Sequence, residues 1–410
     1  MIQPVENIMW IIPAKFLAET YTTYFTQDTT SSILQDVTGN LSIPQGCHVV
    51  RFEEMEFLPW DNPDNIVSAE VEDITRRLKN AALPVLFLIG GPANVINMAV
   101  FYKQGLKERV NLCLFSLSLA DVLYLIQMLF FYGEQLHVQF TTKESFGPMM
   151  RFMVNNNLVG FFGFSFVSQI LSAIIASERC LCVLSPLRSQ TLLQTRTMAA
   201  IIVVVYLVVV GFYFVMALRY RIECVFDPAS DTTLFTVVPA EFYLKNERLI
   251  NYLDSFVYGA GIPGFVIVVV TATTIITAMK IRQAAAWRAG TSSASGRSSS
   301  LSSSISSQEL ALTRMLIGTA VLFIVCISPL AFFRFVWLFL PEMNVGRRYN
   351  NFYLTGLWIM EALSSINSSF NFFVYYTIGS RYRRTFRALF GRSKRETAKK
   401  NTSINTTTTK

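Results

Sequence analysis

The chain has 410 residues, 52% hydrophobic and only 15% charged, with a mean hydropathy of +0.41. Soluble domains carry about 25% charged residues, so an ordinary soluble globule is excluded, and a disordered chain even more firmly. The formal charge of +8 lies on this apolar background, which makes a membrane surface, not nucleic acid, the expected anionic partner.

Residues 1–80 precede any long apolar run. They hold twelve acidic and five basic groups and a turn-prone stretch at 59–65, and read as an extracellular N-terminal tail. Asn40-Leu41-Ser42 is a glycosylation sequon, usable if the tail is outside. Seven apolar runs follow, at 81–101, 111–132, 152–177, 198–218, 251–279, 315–340 and 352–378. Each can cross about 30 Å of hydrocarbon as a helix, which takes about 20 residues. Between the fifth and sixth runs lies the serine-rich segment 290–308, a flexible inner loop read equally well as a passive linker or as a kinase substrate. Residues 379–391 place Tyr382, Phe386, Leu389 and Phe390 on one helical face and arginines on the other, the pattern of a helix lying on the inner leaflet. Residues 392–410 read as a disordered cytoplasmic tail. The expected fold is an all-α membrane protein: a seven-transmembrane helix bundle over 81–378, with a short amphipathic cytoplasmic helix after the seventh span.

Orientation follows from loop charge. With the N-terminus outside, the inner segments 102–110, 178–197, 280–314 and 379–410 carry 21 basic and 4 acidic residues. The outer segments 1–80, 133–151, 219–250 and 334–351 carry 14 basic and 20 acidic residues. The sides differ as +17 against −6, the asymmetry of positive-inside insertion.

Only three carboxylates fall inside the expected spans: Asp121, Asp254 and Glu361. A charge at a helix centre costs about 2.5–3.5 kcal/mol on insertion scales, so such groups mark function or need partners. Asp121 has candidate partners in Asn94, Ser168, Asn367, Ser368 and Asn371. That set reads either as a polar network joining helices or as a site for a small hard cation such as Na⁺. The two histidines and six cysteines show no metal-binding spacing.

Seven short motifs occur in order along the runs. They are Gly90-Gly91-Pro92-Ala93-Asn94, Leu119-Ala120-Asp121, Glu178-Arg179-Cys180, Pro186-Leu187, Pro263, Cys326-Ile327-Ser328-Pro329 and Asn371-Phe372-Phe373-Val374-Tyr375. Together they resemble the rhodopsin-like (class A) family of G-protein-coupled receptors, over about residues 81–390. The resemblance implies that Arg179 is the cytoplasmic switch residue, with Glu178 beside it and Tyr375 in the inner switch. It also implies that Glu309 clamps Arg179 in the inactive state; alternatively, Glu309 only complements a helix N-terminus. Asp121, Ser168, Asn367, Ser368 and Asn371 match the family's sodium pocket, and Pro263, Phe323, Ile327 and Pro329 its transmission region. Ile327 stands in place of the family's tryptophan and Phe372 in place of its proline.

The family joins the top of its third span to the second outer loop by a disulfide, but Val154 stands at the third-span position. Within the resemblance, Cys224 in the outer loop is then expected to pair with Cys47 of the tail. Ligand readings also follow from it. Phe161 stands where amine receptors place aspartate, and Ser365 where opsins place lysine, so monoamine and retinal ligands are disfavoured. Phe161, Arg334 and Glu361 occupy positions that line the family's ligand cavity; Arg334 and Glu361 either pair with each other or receive anionic and cationic ligand groups. The NFFVY sequence resembles invertebrate peptide receptors, which makes a neuropeptide the leading ligand and a chemosensory small molecule the second. A transporter would show related halves, and an enzyme an acid–base, nucleophile or metal cluster; neither is visible. The expected partners are an extracellular ligand, a heterotrimeric G protein, receptor kinases and arrestin, and membrane lipid, at the plasma membrane. No cofactor is expected beyond an allosteric Na⁺ at Asp121.

Overall fold

The computed structural model describes residues 47–49, 62–141, 147–185, 189, 194–227, 232–292, 307–340, 342–343 and 347–391. Asn40, residues 293–306 of the serine-rich loop and the 392–410 tail lie outside them.

The first helix, α1 (Ala69–Gln104), starts well before residue 81 and so corrects the expected boundary between tail and bundle. Its outer turns are polar yet helical for local reasons. Ser68 caps them, its Oγ accepting from Val71 N at 3.4 Å, and Arg76 and Arg77 pair with Glu72 and Asp73 one turn back. Gly105, at φ 102°, ends α1 in a conformation that favours glycine. Then come α2 (Arg109–Thr141), the short α3 (Pro148–Asn155), a 3₁₀ turn (Leu158–Phe162) and α4 (Gly163–Leu184). The expected third span is thus split, because Asn157 takes left-handed φ and ψ of 58° and 18°, a region that asparagine tolerates better than most residues.

After α5 (Thr195–Ala217) the chain folds into strands β2 (Tyr220–Asp227) and β3 (Thr232–Pro239), paired antiparallel. Strand β1 (Cys47–Val49) adds in parallel to β2, with Cys47 opposite Cys224. This small sheet amends the all-α expectation. It rests on α3, where Asn155 exchanges hydrogen bonds of 2.8 and 3.0 Å with the backbone of Ile222.

The next long helix is α6 (Glu241–Tyr252) running through a π-helical segment (Leu253–Gly261) into α7 (Ile262–Ser292). Pro263 explains the widened turn: it has no N–H to donate, and its ring crowds the carbonyl one turn back. The bundle closes with α8 (Ser307–Phe339), α9 (Asn350–Ile378) and α10 (Ser380–Phe390).

Among the described residues, six helical stretches are long and apolar enough to cross a membrane: α1, α2, the 3₁₀ turn with α4, α5, α6 through α7, and α8. α9, at 29 residues, is long enough but more polar. Its Asn350, Asn351, Asn367, Ser368, Ser369 and Asn371 are all buried in the bundle, so its polarity is spent on neighbouring helices. α1 packs against α2 and α9, α4 against α2 and α7, and α8 against α7 and α9. α5 exposes Val203, Leu207 and Phe212, the apolar exterior expected of a lipid-facing helix.

Candidate functional site

The polar centre of the bundle is built around Asp121, fully buried on α2. Ser168 of α4 donates to its Oδ1 at 2.7 Å, and Asn371 Nδ2 of α9 to its Oδ2 at 3.0 Å. Asn94 of α1 donates to the backbone carbonyl of Ser368 at 2.7 Å and to that of Gly90 at 3.0 Å. Asn97 donates to Asn94 at 3.3 Å, and the Tyr382 hydroxyl of α10 donates to Asn97 at 2.6 Å. The network therefore runs on to α10. Asn367 makes no hydrogen bond to Asp121; with Asn371 it lines a void of about 20 Å³ beside the network, about the space of one water molecule.

At the end of the bundle away from α10, a cavity of about 140 Å³ is lined by residues of α2, the 3₁₀ turn, α4, α5, the π segment, α7, α8 and α9, among them Tyr124, Gln169, Tyr213, Tyr258, Arg334 and Glu361. Arg334 and Glu361 both line it, but they do not pair with each other. Glu361 is taken by Lys79 of α1, Nζ to Oε2 at 3.4 Å, and by the Tyr132 hydroxyl at 2.7 Å. Lys79 is only 4% exposed. Its ammonium sits 3.6 Å from the Tyr132 ring centroid and 3.8 Å from that of Trp358, so two ring faces and one carboxylate replace its water. Trp358 in turn donates its Nε1–H to Glu72 at 2.8 Å. Arg334 has no carboxylate partner among the described residues; its guanidinium lies 5.4 Å from the Trp337 ring centroid.

Phe161 is the clearest misplacement. It is 36% exposed and packs edge-on against Phe214 of α5 and flat against Phe164, while Phe162 and Ser165 line the cavity instead. The 3₁₀ turn winds at about 3.0 residues per turn, which carries Phe161 out of the phase that an unbroken helix would give it. Asp254, on the π segment, is paired with Arg219 just after α5. Burial works against the Arg219 charge, but Tyr220 and Asp254 beside it hold its pKa above the ordinary value.

At the end of the bundle that carries α10, Glu178 binds Arg179 directly, and Arg109 of α2 approaches the same carboxylate at 3.5 Å. Glu309 lies in α8, with its side chain outside the described residues. Tyr375 is fully buried, its ring edge-on to Phe101 at 5.3 Å, and its hydroxyl has no hydrogen-bond partner among the described residues. Phe323 and Ile327 are buried in the core between α7, α8 and α9, and Pro329 lies within α8.

A model of seven-transmembrane receptors of the rhodopsin family matches residues 93–375, more than half of the chain. The chain belongs to that family. It is a G-protein-coupled-receptor-class signalling protein and not an enzyme, carried in the plasma membrane by multiple apolar helices. No curated protein matches it. α10 is tied back to the bundle by a bidentate Arg381–Glu108 pair at 2.6 and 2.7 Å and by Gln104 to Thr385 at 3.2 Å. The Glu108 hydrogen bonds hold the Arg381 pKa above its ordinary value.

Sequence reasoning found Asp121 and its neighbours but missed Lys79, Tyr132, Trp358, Gln169 and Arg219. Lys79 carried a signal: it continues the Glu72, Arg76, Lys79 spacing along one face of α1, but the residues had been assigned to an extramembrane tail. The aromatic residues carried none, since each is one of many.

Proposed function

We propose that this receptor binds an extracellular peptide in the outer cavity and activates a heterotrimeric G protein at its inner face. Its N-terminus lies outside, its C-terminus in the cytoplasm, and α9 serves as the seventh span. The observation that carries this reading is the succession of buried polar groups through the bundle. Tyr124 lines the cavity, sits one turn from Asp121 on α2, and lies 3.5 Å from Ser365 of α9; Asp121 then joins α2, α4 and α9. A ligand that moves α9 changes that junction, and Asn371 and Tyr375 move with it. At the inner end the Glu178–Arg179 pair is the latch that G protein replaces, with Glu309 a second acidic partner for Arg179. The unpartnered Tyr375 hydroxyl favours leaving its resting place, because a buried unsatisfied group costs about 1–3 kcal/mol.

The cavity holds about 140 Å³, below the few hundred Å³ usual for whole small molecules. This favours one end of a peptide over a chemosensory small molecule. Asp121 with Ser168, Ser368 and Asn371 offers one carboxylate and neutral oxygens beside a water-sized void, a set that fits Na⁺; the ion would hold the resting arrangement. The Cys47–Cys224 disulfide is supported by their facing register in the sheet, since directly opposed strand residues stand at about the Cα separation a disulfide needs. We assign glycosylation to Asn40, kinase and arrestin recognition to the serine-rich loop, and inner-leaflet lipid contact to the arginines of α10.

A peptide library applied to cells that express the chain with a promiscuous G protein tests the reading. The expected result is a peptide response that Arg179→Ala abolishes at equal surface expression. A response that persists in Arg179→Ala would overturn it.

A further inference from the structure

A cationic ligand group received by Glu361 was one of the expectations for this cavity. The geometry points the other way, and it does so through two independent observations.

The first is a charge balance inside the cavity. Glu361 is the one carboxylate in its lining, and Lys79 and Tyr132 already occupy both of its oxygens at 3.4 and 2.7 Å. Lys79 is enclosed by two rings besides, so a ligand amine would have to displace a buried tethered cation to reach the acid. Arg334 lines the same cavity from α8, half-buried beside the Trp337 ring, and has no carboxylate partner among the described residues. The charge left for a ligand to answer is therefore positive. Guanidinium matches a carboxylate in a planar two-bond fork, and it is less strongly hydrated than an ammonium.

The second observation is Gln169. This side chain of α4 is 3% exposed and lines the cavity, and its Oε1 has no hydrogen-bond partner among the described residues. A buried carbonyl oxygen without a donor is costly, and buried polar groups are ordinarily satisfied. A ligand N–H answers it. The cavity thus presents one anion receptor and one N–H acceptor within a volume that admits only a single ligand group.

We propose that the outer cavity recognises a carboxylate beside an amide N–H: Arg334 binds the carboxylate, and Gln169 Oε1 accepts the N–H. Two sources share that chemistry, the free C-terminus of a peptide and an N-acyl amino acid. The proposal rests on the reading that this cavity is the ligand site, but not on any coupling to G protein. Lys79 then acts as a built-in counter-ion that withdraws Glu361 from the ligand and prevents it from repelling the anion.

The test is thermal stabilisation of the full-length receptor in lipid nanodiscs. The probes are a panel of N-acetyl amino acids, the matching N-acetyl amino-acid amides, the O-acetyl hydroxy acids that lack the N–H, and amino-acid amides that carry a free amine. Wild type should be stabilised by N-acetyl acids, and about 10-fold or more less effectively by their amides and by the hydroxy-acid esters. Arg334→Gln should lose the preference for acid over amide, and Arg334→Lys should keep part of it. Gln169→Leu should bind acid and ester equally. Melting of each variant without probe reports its folding. Equal stabilisation by acid and amide, no stabilisation by any acid, or stabilisation by the free-amine probes alone would each overturn the proposal. Peptides then made in pairs with free and amidated C-termini separate the two sources: a peptide source gives free-acid peptides that outcompete every N-acetyl amino acid. Because no step reads signalling, a failure here leaves G-protein activation to be judged by its own assay.

Discussion

Replacing Lys79 by methionine keeps the length of the side chain and removes its charge, which isolates the electrostatic role of a residue that joins α1, α2 and α9. At 3.4 Å the Lys79–Glu361 attraction is about 5 kcal/mol gross at an effective dielectric of 20. The two ring contacts add roughly 1 kcal/mol each. Against this, methionine escapes the desolvation cost of a buried ammonium, which is several kcal/mol, and Glu361 retains Tyr132 and 28% side-chain exposure. The net loss for Lys79→Met is about 2 kcal/mol. Glu361→Gln costs about 3 kcal/mol, because the ammonium left behind is only 3% exposed at its side chain. The double variant should lose about 2–3 kcal/mol, so the two changes couple by roughly 2 kcal/mol. Thermal unfolding of the purified receptor at one fixed scan rate reads this as about 2 °C per kcal/mol. If the two losses simply add, the pair does not exist as described and the assignment of Glu361 to Lys79 fails.

Three further outcomes follow from the same geometry. Asp121→Asn should abolish any stabilisation of the resting receptor by sodium over choline in a melting assay, while wild type keeps it; equal ion sensitivity in both would remove the cation reading. Tyr375→Phe deletes a hydroxyl that has no partner among the described residues, so the resting receptor should melt unchanged or about 1–2 °C higher and signal less; a clear loss of stability would show a resting bond that was missed. Cys47→Ser, Cys224→Ser and the double substitution should lower the melting temperature equally, with a Cys47–Cys224 peptide found by non-reducing mapping of wild type. Additive losses would contradict the pairing.

The membrane class and the long helices were legible because a run of apolar residues has few other uses, and the family motifs reinforced it. Asp121 was legible for a related reason: a carboxylate amid leucines needs partners, and only a few asparagines and serines lay at matching depth. What was not legible depended on where helices begin and how they wind. α1 starts at Ala69 through capping and ion pairs rather than apolarity, so a hydropathy reading stopped short and left Lys79 outside the bundle. The turn at Asn157 and the 3₁₀ segment after it changed the phase of residues 158–162, which moved Phe161 off the cavity. The β2–β3 hairpin followed a loop reading because its alternation is short and its sequence mixes charge with β-formers. The pairing of Glu361 is a tertiary fact, and spacing along α9 cannot reveal which helix supplies the cation.

The central claim, that the Glu178–Arg179 pair latches a receptor whose output is G-protein activation, can be tested without knowing the ligand. The measurement is the basal rate of GTP-analogue uptake by a panel of heterotrimeric G proteins, added to the receptor in nanodiscs. Glu178 holds Arg179 and lies 3.5 Å from Arg109; releasing about 1 kcal/mol of that restraint shifts the population by about 5-fold. Glu178→Gln should therefore exchange nucleotide severalfold faster than wild type with at least one G protein, and Arg179→Ala should fall to the receptor-free rate. Rates for wild type and both variants that equal the receptor-free rate for every G protein, or Glu178→Gln no faster than wild type, would contradict the account.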